Sequence, residues 1–109
     1  MARVALFVRL EAKADKVSEV AEFLRSALPL ANQEATTPVW FALRIGPSTF
    51  AIFDAFPDDA GRKAHLGGPI AAALMQRADE LLAEPPRIEE LDVLAVKLPG
   101  SSTPTQAQS

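Results

Sequence analysis

Residues 48–68, STFAIFDAFPDDAGRKAHLGG, leave little freedom in how a chain can fold around them. From Thr49 to Phe56 the side chains alternate. Phe50, Ile52, Asp54 and Phe56 share one face, and Ala51, Phe53 and Ala55 share the other, which is the period of a strand. Both faces are mostly apolar, so the strand is expected in a sheet interior. Pro57 ends it, because proline brings no N–H to a ladder. Asp58 is placed to cap a helix, with Asp59 in the first turn, where the helix dipole favours negative charge. Gly67 and Gly68 close that helix. Two polar residues stand out. Asp54 lies among apolar neighbours, where an ionised carboxylate needs a partner. His65, the one histidine of the chain, falls in the last helical turn, where the dipole favours an imidazolium.

The flanking segments alternate between the two periods. Residues 3–11 (RVALFVRLE) read as a strand with Val4, Leu6, Val8 and Leu10 on one face and Ala5, Phe7 and Arg9 on the other. Asp15 is a candidate cap for an amphipathic helix of roughly four turns built on Val17, Val20, Ala21, Leu24, Ala27 and Leu28, ending near Pro29. Residues 30–38 are a polar connector in which Asn32, Gln33, Glu34, Thr36 and Thr37 either line a pocket mouth or form a solvated loop. Residues 39–46 (VWFALRIG) form the second predicted strand, joined to the third by a Gly46–Pro47–Ser48 turn. Pro69 opens a further helix with Ile70, Ala73, Leu74, Ala78, Leu81 and Leu82 inward, stopped by Pro85 and Pro86. Residues 87–98 are the last strand, with a bulge near Asp92 to reconcile an imperfect alternation. Residues 1–98 then make one domain, and 99–109 a polar, disordered tail.

The order is a βαββαβ unit: α+β, ferredoxin-like, with a four-stranded antiparallel sheet covered by helices on one face. The other face carries more apolar area than water tolerates. Pairing sheet to sheet in a homodimer is the expected cover.

Composition narrows function. The net charge is −3, without the clustered Lys and Arg that a nucleic-acid partner requires. There is no Cys, so thiolate metal sites and thiol catalysis are excluded. A single His rules out a multi-imidazole metal site within one chain. The five-residue apolar run between Arg3 and Arg9 is too short for a signal peptide or a membrane span, so a cytoplasmic protein is expected. An RNA-recognition domain shares the topology. Here, however, Ser48 and Thr49 replace its basic-glycine opening and Ile52 its second stacking aromatic.

The centre of the chain is more specific than its topology. Phe50-Ala51-Ile52-Phe53-Asp54-Ala55-Phe56, then Asp58-Asp59-Ala60, Ala64-His65-Leu66 and Ala71-Ala72-Ala73-Leu74 together resemble the antibiotic biosynthesis monooxygenase domain family, over residues 3–98. The resemblance implies a dimeric α+β barrel, a homodimer with a pocket between sheet and helices in each subunit. It also implies a cofactor-independent monooxygenase acting on a small aromatic or quinol, or a non-catalytic module of the same fold that binds such a ligand. Haem-degrading members use an Asn on the first strand, a Trp after the third and a His on the next helix. Only the His has a counterpart here, His65, while Phe56 stands near the third strand's end.

His65 is the first catalytic candidate, as a neutral imidazole taking a phenolic proton; a helix cap is the structural alternative. Asp54 is the second, either orienting His65 or paired with Arg9 or Arg44. The substrate-binding candidates are Trp40, to stack on a planar ligand or pack in the dimer, and Arg44, for an anionic oxygen or an ion pair. Phe7, Phe53 and Phe56 serve as lining or core, and Asn32 sits at the pocket mouth. No metal or cofactor is expected.

Overall fold

The computed structural model describes residues 2–99. The order is β1 (Val4–Glu11), α1 (Val17–Ser26), α2 (Leu28–Gln33), β2 (Val39–Arg44), β3 (Thr49–Phe56), α3 (Asp59–Leu66), α4 (Pro69–Leu81) and β4 (Arg87–Asp92). The strands form one antiparallel sheet in the order β2-β3-β1-β4. This is the ferredoxin-like α+β arrangement.

Register sorts the side chains. Leu6 stands opposite Asp54 on one side and Glu90 on the other, and Trp40 pairs with Asp54 from β2. Leu6, Leu10, Phe50, Ile52, Asp54 and Phe56 are all buried on the helix-covered face. Val20, Phe23 and Leu24 of α1 and Leu74 and Leu81 of α4 close the core over Val8, Leu10, Phe50 and Ile52. On the opposite face Phe41, Phe53 and Phe7 form one cross-strand row. The Phe41 and Phe53 rings lie 6.4 Å apart, and Phe41 is 51% exposed.

Three expectations change. Pro29 does not end the helical path. It occupies the first turn of α2, where its missing N–H costs nothing, so half of the polar connector is helix. Asp15 does not cap α1. Lys16 holds that position without a side-chain cap bond, after a turn in which its N–H donates to the Lys13 carbonyl. β4 ends at Asp92 instead of bulging there. The Val93 N–H still donates to the Arg3 carbonyl, but Leu94 beyond it is exposed. The expected disordered tail lies, after Pro99, outside the described residues. Among the described residues no helix is long and apolar enough to cross a membrane.

Candidate functional site

Asp54 and His65 meet because β3 and α3 are joined by a tight, well-defined turn. Pro57 stops the strand, and the Asp58 side chain accepts the Gly61 N–H at 2.9 Å, fixing where α3 begins. Arg62 then fastens the helix to the sheet. Its Nη1 donates to the carbonyls of Ala5 and Leu91, each at 3.3 Å, and its Nη2 meets Asp59 at 2.6 Å. One turn on, His65 points inward and is buried.

The loop after α2 crosses this helix closely. A Cβ on Gly61 would stand 3.1 Å from the Thr36 carbonyl oxygen, so glycine permits the approach. That crossing brings in a third ionisable group. His65 Nδ1 donates to Glu34 Oε1 at 2.6 Å, and Thr37 Oγ1 donates to the same oxygen at 2.9 Å. On the other side of the ring, Nε2 lies 2.8 Å from Asp54 Oδ2. This second contact is an ion pair outside hydrogen-bonding alignment, and both Asp54 oxygens are buried without a hydrogen-bond partner. Phe56 packs on the ring, centroids 5.4 Å apart.

Burial by itself lowers the imidazole pKa, because it disfavours the cation. The close contacts and negative charges of Asp54 and Glu34 outweigh it and raise the pKa from 6.5 to about 8. The two carboxylates therefore favour the imidazolium near neutral pH. Becoming a proton acceptor requires a pH near 8 or a ligand that shifts the balance.

His65 also reaches the end of an apolar cleft between α4 and the β1–β4 side of the sheet. Leu6, Ile52, Leu66, Ile70, Leu74 and Ile88 line it, enclosing about 110 Å³. Met75 and Ile88, both more than half exposed, flank its mouth. His65 is the only ionisable side chain in its lining. The volume is of the order that holds a benzene-sized guest, about 150 Å³.

The sequence candidates divide. His65, Asp54 and Phe56 form one cluster. Trp40 is on the helix-covered face beside Asp54, packed against Ala27, Ala31 and Ile70, with its Nε1 buried and unpartnered. It is neither on the open face nor in the cleft lining. Asp54 pairs with His65 and with neither arginine. Arg9 lies over Phe7 on the far side of the sheet, and Arg44 donates to the carbonyls of Gly46 and Pro47 while covering Phe50. Arg44 thus stays at its own hairpin, away from the cleft. Phe7 and Phe53 fall on the open face by strand parity, and Asn32 is exposed on α2, outside the cleft lining. Glu34, which the sequence marks only as one of five polar connector residues able to line a pocket mouth, is the residue that completes the cluster. Its one signal is a Glu three positions before Thr37, which by itself marks only a turn. Among the described residues no group of three or more His, Cys, Asp or Glu is arranged to hold a metal ion.

No family model and no curated protein matches the sequence. Solved structures do. A protein of unknown function from Nitrosomonas europaea, NE2512, is 62% identical over 91% of this chain and 96% of its own, with a TM-score of 0.89. Rv0793 from Mycobacterium tuberculosis is 18% identical over 87% of this chain and 98% of its own, with a TM-score of 0.77. A structure described as an antibiotic biosynthesis monooxygenase is 14% identical over 84% of this chain and 99% of its own, with a TM-score of 0.73.

Proposed function

The chain belongs to one family with NE2512 and has the fold of the antibiotic biosynthesis monooxygenases, and from that premise we propose that it oxidises a small, electron-rich phenol or quinol with molecular oxygen and no added cofactor. The observation that carries this reading is the apolar cleft ending on His65. A dry apolar wall suits both an aromatic ring and oxygen. The imidazole, once deprotonated, accepts the hydroxyl proton and leaves an electron-rich anion for oxygen to attack. A phenol unsubstituted opposite its hydroxyl and one O₂ then give a quinone and one water, all electrons coming from the substrate. His65 returns its proton to the departing water. Asp54 balances the charge that His65 carries, and Phe56 packs at a tilt against the imidazole.

The second reading is a non-catalytic module that holds the same ligand. Its support is specific: both ring nitrogens face carboxylates, so at neutral pH the imidazole is engaged and charged. Oxygen uptake by the purified protein across single-ring phenols and quinols separates the two. Uptake that His65→Gln lowers at least ~100-fold, within the usual range for losing a general base, supports the enzyme. Ligand binding without uptake supports the module.

The unit doing this is residues 1–98 acting as a homodimer. Phe7, Phe41 and Phe53 present an aromatic row on the uncovered sheet face, and a second copy of the same face is its natural cover.

A further inference from the structure

We infer that Glu34, held by Thr37, is the positioning residue of this site: it keeps a proton on His65 Nδ1 and so makes Nε2 the nitrogen that exchanges protons with a ligand. The inference rests on the reading of His65 as proton acceptor, but its geometry stands apart from any activity.

A carboxylate oxygen only accepts. Glu34 Oε1 takes the Thr37 hydroxyl at 2.9 Å and His65 Nδ1 at 2.6 Å, so both partners must donate, and the Nδ1 proton is fixed. The carboxylate is held by bonds that do not involve the ring. Glu34 caps the C-terminus of α2, its N–H donating to the Ala31 carbonyl, and the Thr37 N–H donates to the Glu34 carbonyl. Backbone and side chain together close the turn from Glu34 to Thr37, and Thr37 is buried.

The Nε2 side is built differently. Asp54 Oδ2 is near but off the hydrogen-bonding direction. When the imidazolium loses a proton, the aligned Nδ1–H···Oε1 bond survives and the misaligned Nε2 contact gives way. Glu34 Oε2 is buried and unpartnered, 3.5 Å from where a Cβ on Gly68 would sit. The imidazolium is therefore the counter-charge of this carboxylate, with the Thr37 hydroxyl as its second donor.

The charged groups acting on His65 from the elements packed against α3 are Asp54 of β3 and Glu34 after α2. Around the cleft, β1 contributes Leu6 and Val8, α4 contributes Ile70, Ala71, Leu74 and Met75, and β4 contributes Ile88, all uncharged. Replacing Glu34 thus leaves Asp54 as the one carboxylate acting on the ring.

His65 is the one histidine, so ring ¹⁵N spectra of uniformly labelled protein report it without overlap. Wild type should titrate near pH 8 and, above that, show a neutral ring protonated at Nδ1. Glu34→Gln keeps an acceptor but removes the charge, so the midpoint should fall by about one pH unit with Nδ1–H retained. Glu34→Ala should release the tautomer, shifting the proton to Nε2 against Asp54. Should that variant not fold, Glu34→Gln and Thr37→Val carry the test, the latter broadening Nδ1 exchange. A wild-type ring protonated at Nε2 when neutral, or an unmoved midpoint in Glu34→Gln, overturns the inference. Either result leaves oxygen uptake to be decided separately, since uptake reads the reaction itself and the ring spectra read only the tautomer.

Discussion

His65 Nδ1 and Glu34 Oε1 lie 2.6 Å apart although 31 positions separate the two residues in sequence. The pair fastens the loop after α2 to the end of α3, and the Asp54 contact fastens the same ring to β3. One imidazole thus joins two helical segments to the sheet at the inner end of the cleft.

That junction makes stability depend on pH. The folded pKa of His65, about 8, lies above its unfolded value of 6.5. The extra stability is fully present below pH 6.5 and is lost as pH rises through 8. Chemical denaturation at pH 6 and pH 9 should differ by on the order of 1–2 kcal/mol in favour of the lower pH. His65→Gln should remove that component of the slope.

Removing the cation alone should cost more than removing the pair. His65→Ala leaves the Asp54 side chain, 1% exposed, buried with no counter-charge, a loss of about 3–5 kcal/mol in comparable buried pairs. Adding Asp54→Ala to that variant should recover part of it. A double-mutant cycle by urea denaturation reads the coupling directly. Strictly additive losses would show the contact to be energetically idle.

The mouth of the cleft can be closed without disturbing the core. Ile88 is half exposed beside Met75, so Ile88→Trp should change stability by no more than ~0.5 kcal/mol. The same substitution should weaken binding of a single-ring phenol at least ~10-fold by calorimetry, since a bulky side chain displaces the guest. Unchanged affinity would place the ligand elsewhere.

The open sheet face should hold the dimer. Phe41→Glu puts a charge into the aromatic row beside Phe53, where burial against a second copy would leave it unpaired. Sedimentation velocity should show a dimer for the wild type and a monomer for the variant. A wild-type monomer would leave the row uncovered and remove this part of the proposal.

Much of this architecture was legible in the residues. The alternation in β1 and β3 and the 3.6-residue pattern of α4 are strong because each buries a continuous face. Asp58 was readable as a cap because its bond to Gly61 is local. What escaped was either ambiguous or distant. Pro29 ends one helix or opens another with equal ease, and only the packing of α2 decides. Leu94 and Val96 look like strand residues, yet β4 stops at Asp92 because the ladder partner strand β1 begins at Val4. Phe7 and Phe53 could be assigned to a face by parity, but parity does not say which face holds the site. Glu34 reaches His65 only because Gly61 lets the loop pass so close, and no spacing in the sequence encodes that approach.

The location of the ligand is tested most directly by intermolecular nuclear Overhauser contacts from a bound single-ring phenol in the labelled protein. Contacts to the Met75 and Ile88 methyl groups and to the His65 ring are the expected result. Contacts to Phe7, Phe41 and Phe53 on the other side of the sheet, or no contact with His65, would contradict the assignment of the cleft as the functional site.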